Sequence, residues 1–197
     1  QARITKYYQR DSTVIFPPVE TERFRPSGPV EKEDFYLTVG RQIPYKRIDL
    51  AVQACTKLRK RLIVIGRGSE HEGLKAIAGP TIEFKFVEDD QDIVPYFQRA
   101  KALIFPSLED FGITPVEAMA AGTPVIAYQS GGALDYVIEG KTGLFFKNQT
   151  VASLCATLNR FEEQAFARHA ISMHAEQFSE ARFMAAMRSF VLKGTSR

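Results

Sequence analysis

Two patterns of hydrophobic and polar positions alternate along the chain. Short apolar runs, typical of buried strands, occupy 35–40, 62–66, 82–87, 102–106, 124–128 and 143–146. Stretches with apolar residues three and four positions apart, typical of helices, occupy 47–61, 69–79, 89–100 and 114–122, and helical patterns resume at 151 with a break near 178–179. Strands alternating with helices predict an α/β fold: a doubly wound, Rossmann-like parallel sheet with helices on both faces.

The first thirty residues lack this alternation and are rich in proline. The sequence STVIF at 12–16 predicts a short strand, and the two prolines after it predict the start of a linker. We therefore divide the chain into a linker with a lead-in strand (1–30), a Rossmann-like domain (31–170) and a C-terminal helical segment (171–197).

Composition and charge narrow the class of protein. The 197 residues are 45% hydrophobic and 25% charged, as in an ordinary globular domain. The net charge of +3 comes from interspersed charges without a long basic run, which favours a small anionic ligand over nucleic acid. No apolar run reaches the roughly 18 residues of a membrane span. Cys55 and Cys155 lie in apolar helical patterns, so we expect buried free thiols and a reducing, cytoplasmic compartment.

The histidines give no sign of a metal site. His71, His169 and His174 fall on predicted helices or at their edges, where packing or surface exposure is the expected role. No group of histidine, cysteine and aspartate has the spacing of metal ligands. We predict neither a metal nor another cofactor.

The loops from strands into helices are the places to search for a ligand site, because parallel sheets bind ligands outside the carboxyl ends of their strands. Gly66 and Gly68 follow a strand, as in a dinucleotide fingerprint, but Gly73 comes two positions too late to complete it. A tight turn is the favoured interpretation, and no nicotinamide cofactor is predicted.

The segment EDFGITPVEAMAAG (109–122) carries the strongest chemical signal. Thr114, Pro115 and Glu117 have the spacing of a capping box, which would give Glu117 a structural role. That box does not account for Glu109 or Gly112. A glycine lets the backbone approach a ligand, free amides at a helix start bind anions, and carboxylates accept hydrogen bonds from hydroxyls. The set suits a ligand with a phosphate and several hydroxyls, such as a nucleotide sugar.

Two longer segments resemble a known family. VGRQIPYKRIDLAVQA (39–54) and FPSLEDFGITPVEAMAAGTPVIAYQSGGALDYVIEGKTGLFF (105–146) are similar to the donor-binding half of group 1 retaining glycosyltransferases, which have two Rossmann-like domains (the GT-B fold) and an E-x7-E signature. The lead-in YYQRDSTVIFPPVETERF (7–24) most resembles bacterial mannosyltransferases that use GDP-mannose. The resemblance implies transfer of a hexose, here mannose, from a nucleotide diphosphate sugar to a hydroxyl acceptor with retention.

The resemblance also implies a role for each matching residue. Arg41 and Lys46 would bind the donor diphosphate in place of a divalent metal, and Glu109 would bind hydroxyls of the transferred sugar. Glu117 would hold the ribose hydroxyls. The other implied donor-binding positions are Gly40, Gly66, Gly68, Phe86, Val87, Phe111, Gly112, Ile113 and Thr114, of which Phe86 and Val87 would contact the base.

The resemblance implies partners beyond the nucleotide sugar. Family members carry an N-terminal domain that binds the acceptor, a glycan or a lipid-linked molecule, and the last helix (about 179–193) resembles the segment that crosses back to it. We therefore expect this chain to be a donor-binding half, inactive in transfer alone, of a protein in the cytoplasm or at the inner face of the membrane.

Two alternative functions stay open. A nucleotide-sugar epimerase of the same architecture would need acid and base groups beside C2 of the sugar, and none is placed for that role. A non-catalytic nucleotide-sugar-binding module would need only the binding residues.

Overall fold

The computed structural model describes residues 1–195, and in them it contains a six-stranded parallel sheet. Its strands are Tyr36–Val39 (β1), Leu62–Ile65 (β2), Ile82–Lys85 (β3), Ala102–Phe105 (β4), Val125–Tyr128 (β5) and Gly143–Phe146 (β6). Their order is β3-β2-β1-β4-β5-β6, and every neighbouring pair is parallel. Each strand lies within two residues of its predicted bounds, so the predicted doubly wound α/β fold is confirmed.

Helices connect the strands and flank the sheet. They are Ala2–Tyr8 (α1), Thr21–Phe24 (α2), Ile48–Leu58 (α3), His71–Ile77 (α4), Val94–Arg99 (α5), Ile113–Ala120 (α6), Ala133–Tyr136 (α7), Val151–Glu162 (α8), Arg168–Ala175 (α9) and Glu180–Thr195 (α10). Three 3₁₀ turns, Pro44–Lys46, Asp90–Ile93 and Glu176–Phe178, complete the regular structure of the described residues.

The sheet has a separate apolar core on each face, because successive strand residues point to opposite sides. In β2, Ile63 and Ile65 pack in one core with α2, α5, α6 and α9. Leu62 and Val64 pack in the other core with α3, α4 and α8. Both faces are therefore covered, which is why the strands read in sequence as continuous apolar runs.

The two cysteines lie where α3 and α8 pack together. Cys55 and Cys155 are both free and buried, which confirms the prediction of unpaired thiols. Burial, with a smaller contribution from Cys155, raises the pKa of the Cys55 thiol to about 12, so this thiol stays protonated near neutral pH.

The predicted lead-in strand at 12–16 is absent, and this prediction is wrong. The chain is irregular from 9 to 18, and α1 precedes that stretch. The two prolines that follow have no N–H to donate to a sheet ladder, so they cannot continue a strand. Phe16 instead packs against the core, and the Val19 amide donates to the Phe178 carbonyl at 3.0 Å.

The core draws on segments from both ends of the described chain. Phe24 on α2 and Ile171 on α9 are almost fully buried on the same face of the sheet. The Ser172 hydroxyl also donates to the Ala120 carbonyl at 2.8 Å, which fastens α9 to the end of α6. The boundaries at 30 and 170 stay a prediction.

The C-terminal helix follows the predicted break. Ser179 has extended backbone between the 3₁₀ turn and α10. Met184, Phe190 and Val191 on α10 are about half exposed, so this helix presents apolar side chains to solvent. In residues 1–195 no helix combines the length and apolar character that a membrane crossing needs.

Glu162 at the end of α8 joins three segments at the amino edge of the sheet. Its carboxylate accepts hydrogen bonds from the Tyr36 hydroxyl at 2.8 Å, from Lys101 at 2.5 Å and from Lys60. Burial alone would raise the pKa of Glu162, but the hydrogen bonds from Lys101, Lys60 and Tyr36 outweigh it and lower the pKa to about 2. The ionised form of Glu162 therefore stabilises the fold.

Replacing Glu162 by glutamine should lower the free energy of unfolding by about 1–2 kcal/mol at pH 7, since charged hydrogen bonds are lost. A lowered folded-state pKa stabilises above the ordinary value of about 4.5, and this contribution disappears as pH falls towards 2. The difference between wild type and Glu162→Gln in urea unfolding should therefore shrink steadily below pH 4.5. A difference that stays constant from pH 7 to pH 3 would contradict this role.

Candidate active site

The centre of the sheet defines a crevice at the carboxyl ends of its strands. From β1 the chain winds outward through β2 to β3, whereas from β4 it winds the other way through β5 to β6. β1 and β4 are neighbours in the sheet. The loops that follow them, at 40–47 and 106–112, therefore leave the sheet side by side and run in opposite directions. Open α/β sheets bind ligands at such a switch point.

Lys46 and Glu109 meet across this crevice. The Lys46 ammonium lies 2.5 Å from the Glu109 carboxylate, and each side chain is about one-fifth exposed. The hydroxyl of Ser107, a buried residue, donates to the same Glu109 oxygen at 2.8 Å. The structure thus brings together two residues that the sequence places 63 positions apart.

Arg41 lies near the start of the loop that carries Lys46, two residues after the end of β1. Its side chain is exposed, and no carboxylate of the described residues lies within ion-pair distance of its guanidinium. Gly40, just before it, has φ +147°. A solvated guanidinium on this loop favours an anionic ligand.

Gly66 and Gly68 lie in the loop after β2, which packs so closely against the loop after β1 that a side chain would not fit. A Cβ on Gly66 would lie 2.2 Å from the Gly40 carbonyl oxygen, and a Cβ on Gly68 would lie 2.2 Å from the Gln42 carbonyl oxygen. Gly66 also has φ +128°, which favours glycine. This close packing accounts for both glycines without a ligand, whereas no turn is assigned at 66–68.

Gln42 connects these loops and was not predicted from the sequence. It is fully buried, its amide donates to the Gly66 carbonyl at 2.6 Å, and its side-chain oxygen accepts from His71 Nδ1 at 2.6 Å. Its backbone N–H also donates to the Arg67 carbonyl at 2.9 Å. Gln42 therefore fixes the loop that carries Arg41 and Lys46, and His71 has the packing role expected for it.

The start of α6 differs from the predicted capping box. The helix begins at Ile113 with Gly112 as N-cap, so Thr114 and Pro115 are its second and third residues and Glu117 its fifth. Gly112 at φ +89° starts the helix two positions earlier than a Thr114 cap would. Because Glu117 is not at the third position, the capping explanation of this half-buried glutamate is wrong.

The first amides of α6 lie against the crevice without a helical acceptor. The amides of Ile113 and Thr114 come before the first amide that can donate within the helix. No backbone carbonyl of the described residues accepts a hydrogen bond from them. A Cβ on Gly112 would lie 2.8 Å from the Phe105 ring and 3.0 Å from the Tyr136 hydroxyl. Only glycine fits here, and these amides offer partial positive charge to an anion.

The predicted aromatic and apolar positions have different surroundings. The Phe111 ring packs against Phe16 and Tyr136. Val87 packs on the core. Phe86 is half exposed and lies beneath the Arg67 guanidinium, 4.0 Å from its ring centroid.

An open groove of about 740 Å³ runs beside Glu109. Tyr45, Leu108, Asp110, Phe111 and the glycine-rich turn at 130–131 line it. This turn is held to the Glu109 loop, since the Gly132 amide donates to the Glu109 carbonyl at 2.9 Å. The groove has room for a sugar next to the carboxylate.

Tyr136, which was also not predicted, packs against the Glu109 loop through the Phe111 ring. Its side chain is buried, and its hydroxyl has no hydrogen-bond partner among the described residues. Burial, followed by the nearby charges of Glu109 and Asp135, raises the pKa of Tyr136, so the hydroxyl stays protonated.

The opposite edge of the sheet carries a second groove of about 370 Å³, which includes Arg168. The Arg168 guanidinium donates to the carbonyls of Val30, Gln98 at 3.1 Å and Ala121 at 3.4 Å. Those donors are bound to the backbone, in contrast to the exposed guanidinium of Arg41. The carboxyl edge is therefore the better anion site. Residues 1–195 contain no cluster of three or more His, Cys, Asp or Glu side chains suited to a metal ion.

The chain belongs to the group 1 glycosyltransferases. Residues 19–178 match the family described as glycosyl transferases group 1. This match confirms the family that the two glutamates and their surrounding motifs resemble.

Relatives in this family are named for transfer of a glycosyl group. The chain is 28% identical to D-inositol 3-phosphate glycosyltransferase from Streptomyces scabiei, across 89% of this chain and 48% of that protein. It is 31% identical to the protein of the same name from Frankia alni, across 77% of this chain and 44% of that protein. The chain spans about half the length of the curated relatives it matches.

Solved structures share the fold. Sucrose-phosphate synthase from Thermosynechococcus elongatus has a TM-score of 0.82 at 23% identity, covering 99% of this chain and 56% of that one. The Anabaena protein HepE, in complex with UDP-glucose, has a TM-score of 0.75 at 17% identity, covering 92% of this chain and 57% of that one. These similarities confirm a Rossmann-like half of the GT-B fold.

Replacing Gly112 by alanine should destabilise the fold. The change forces a side chain into positive φ and against the Phe105 ring, which we expect to lower the free energy of unfolding by about 1–3 kcal/mol. Gly73 is the matched control, because it is exposed within α4 and a Cβ there meets nothing within 4 Å. Gly73→Ala should instead raise stability by about 0.5–1 kcal/mol. Equal unfolding midpoints in urea for both variants would contradict the packing described for Gly112.

Proposed function

We propose that this chain is the donor-binding half of a retaining hexosyltransferase that uses GDP-mannose and transfers mannose to a hydroxyl acceptor. The observation that carries the proposal is the meeting of Lys46 and Glu109 at the switch point, 2.5 Å apart, beside the start of α6. The cations Arg41 and Lys46 suit the diphosphate of a nucleotide sugar, and the Glu109 carboxylate suits the hydroxyls of its sugar.

In the proposed reaction the acceptor oxygen bonds to the anomeric carbon and the sugar–phosphate bond breaks. The bonding electrons leave with the nucleoside diphosphate, which also takes the proton of the acceptor hydroxyl. Negative charge grows on the leaving diphosphate, where Arg41, Lys46 and the first amides of α6 stabilise it. These fixed cationic groups take the place of a divalent metal.

The two glutamates bind hydroxyls at different parts of the donor. Glu109 accepts from hydroxyls of the transferred sugar, which occupies the groove beside it. Glu117, four residues farther into α6 than Ile113, accepts from the ribose, and the exposed Phe86 contacts the base. The preference for GDP-mannose is supported by the resemblance of the lead-in at 7–24 to mannosyltransferases.

The acceptor site belongs to the remainder of the longer protein. The chain covers about half of its relatives' length, and the crevice at the carboxyl edge is open on one side. An acceptor held by a second domain would close this crevice and bring its hydroxyl to the anomeric carbon, a positioning effect worth up to about 7–11 kcal/mol.

The diphosphate role of the two cations can be tested by calorimetric titration with GDP and with guanosine. We expect Lys46→Ala and Arg41→Ala each to weaken GDP binding about tenfold or more, because a charged hydrogen bond to phosphate is lost, and to leave guanosine binding nearly unchanged. Lys57→Ala, which removes an exposed lysine from α3, is the matched control and should leave both affinities unchanged.

Equal losses for GDP and guanosine would contradict a diphosphate site, as would GDP binding that a chelator abolishes. Parallel titrations with UDP and ADP test the donor itself. Tighter binding of UDP or ADP than of GDP would reject GDP-mannose while leaving the family assignment intact.

A further inference from the structure

The cation and the carboxylate at the centre of the site neutralise each other. Lys46 and Glu109 form an ion pair at 2.5 Å, with each side chain four-fifths buried. Building on the proposed function, we infer that this pair is exchanged during binding: the donor diphosphate takes Lys46, and Glu109 becomes available to the sugar only then.

The charges favour the exchange. A diphosphate that approaches Lys46 also approaches Glu109, and two anions repel at short distance. This repulsion favours a turn of Lys46 from the carboxylate to the phosphate, and Glu109 then needs new donors. Hydroxyls of the attached sugar are such donors, whereas a nucleoside diphosphate without sugar brings none.

Ser107 holds Glu109 in place during this exchange. It is buried, and its hydroxyl donates to Glu109 at 2.8 Å from the loop immediately after β4. A carboxylate has about four acceptor positions, so Glu109 can keep the Ser107 bond and accept from sugar hydroxyls in place of Lys46. Ser107 is thus a positioning residue for sugar recognition.

This exchange couples the sugar to the diphosphate. A donor that carries its sugar satisfies both Lys46 and Glu109, whereas the nucleoside diphosphate product leaves Glu109 repelled and with Ser107 as its remaining donor. The wild-type site therefore binds the donor in preference to the product. Removing the charge of Glu109 should reverse part of this preference.

The test is calorimetric titration of GDP and GDP-mannose into wild type, Glu109→Gln, Ser107→Ala and Glu31→Gln. In Glu109→Gln, GDP should bind about two- to fivefold more tightly because Lys46 is released from its pair, while GDP-mannose binds more weakly. In Ser107→Ala, GDP-mannose should weaken severalfold with GDP unchanged. Glu31→Gln changes the net charge equally at the opposite edge of the sheet and should change neither affinity.

The outcomes separate this inference from the proposed function. GDP that binds wild type but binds Glu109→Gln equally or less tightly would overturn the exchange and leave the diphosphate site standing. Equal losses of GDP and GDP-mannose in Ser107→Ala would overturn its positioning role, with thermal unfolding of each variant showing that it is folded. Failure of wild type to bind GDP, UDP or ADP would overturn the proposed function itself.

Discussion

The parallel pairing of β1 with β4 is the constraint on which the rest of the structure depends. Tyr36 aligns with Ala102 and Leu37 with Leu103, so both strands end at the same edge. The chain leaves this pair in opposite directions, from β1 through a crossover to β2 on one side and from β4 through a crossover to β5 on the other. That divergence opens the crevice and brings the Lys46 loop to the Glu109 loop, and both apolar cores serve to hold these two strands in register.

Backbone packing and charged side chains make different contributions to the site. Gly66 and Gly112 let loops and helix starts approach other groups more closely than a Cβ permits. Gln42 and Ser107 then fix the loops by buried hydrogen bonds. These supported loops carry the charges of Lys46 and Glu109, as preorganised electrostatic binding requires.

The sequence predicts the sheet well, because apolar runs such as 62–66 and 102–106 reflect burial on both faces, which is a local property of each strand. The sequence-based prediction fails where the local structure depends on contacts with another segment or on the conformation of an adjacent residue. The strand at 12–16 has no partner, and the capping box around Thr114 depends on the φ of Gly112. Gln42 and Ser107 escape prediction because a polar residue in a loop reads as exposed until another segment covers it, and Tyr136 because its burial depends on the contact of α7 with the Glu109 loop. Glu109 and Glu117 can be singled out from the sequence because their spacing carries a family signature, and their roles stay a prediction.

The most direct measurement is an amide NMR titration of the isotopically labelled chain with GDP. If the crevice between β1 and β4 binds the diphosphate, the amides of Arg41, Gly112 and Ile113 should shift together along a single saturation curve. Amides at the opposite edge, beside Gly122 and Arg168, should stay unchanged. Shifts concentrated at that opposite edge, or saturation by GDP without shifts in the two crevice loops, would contradict the site.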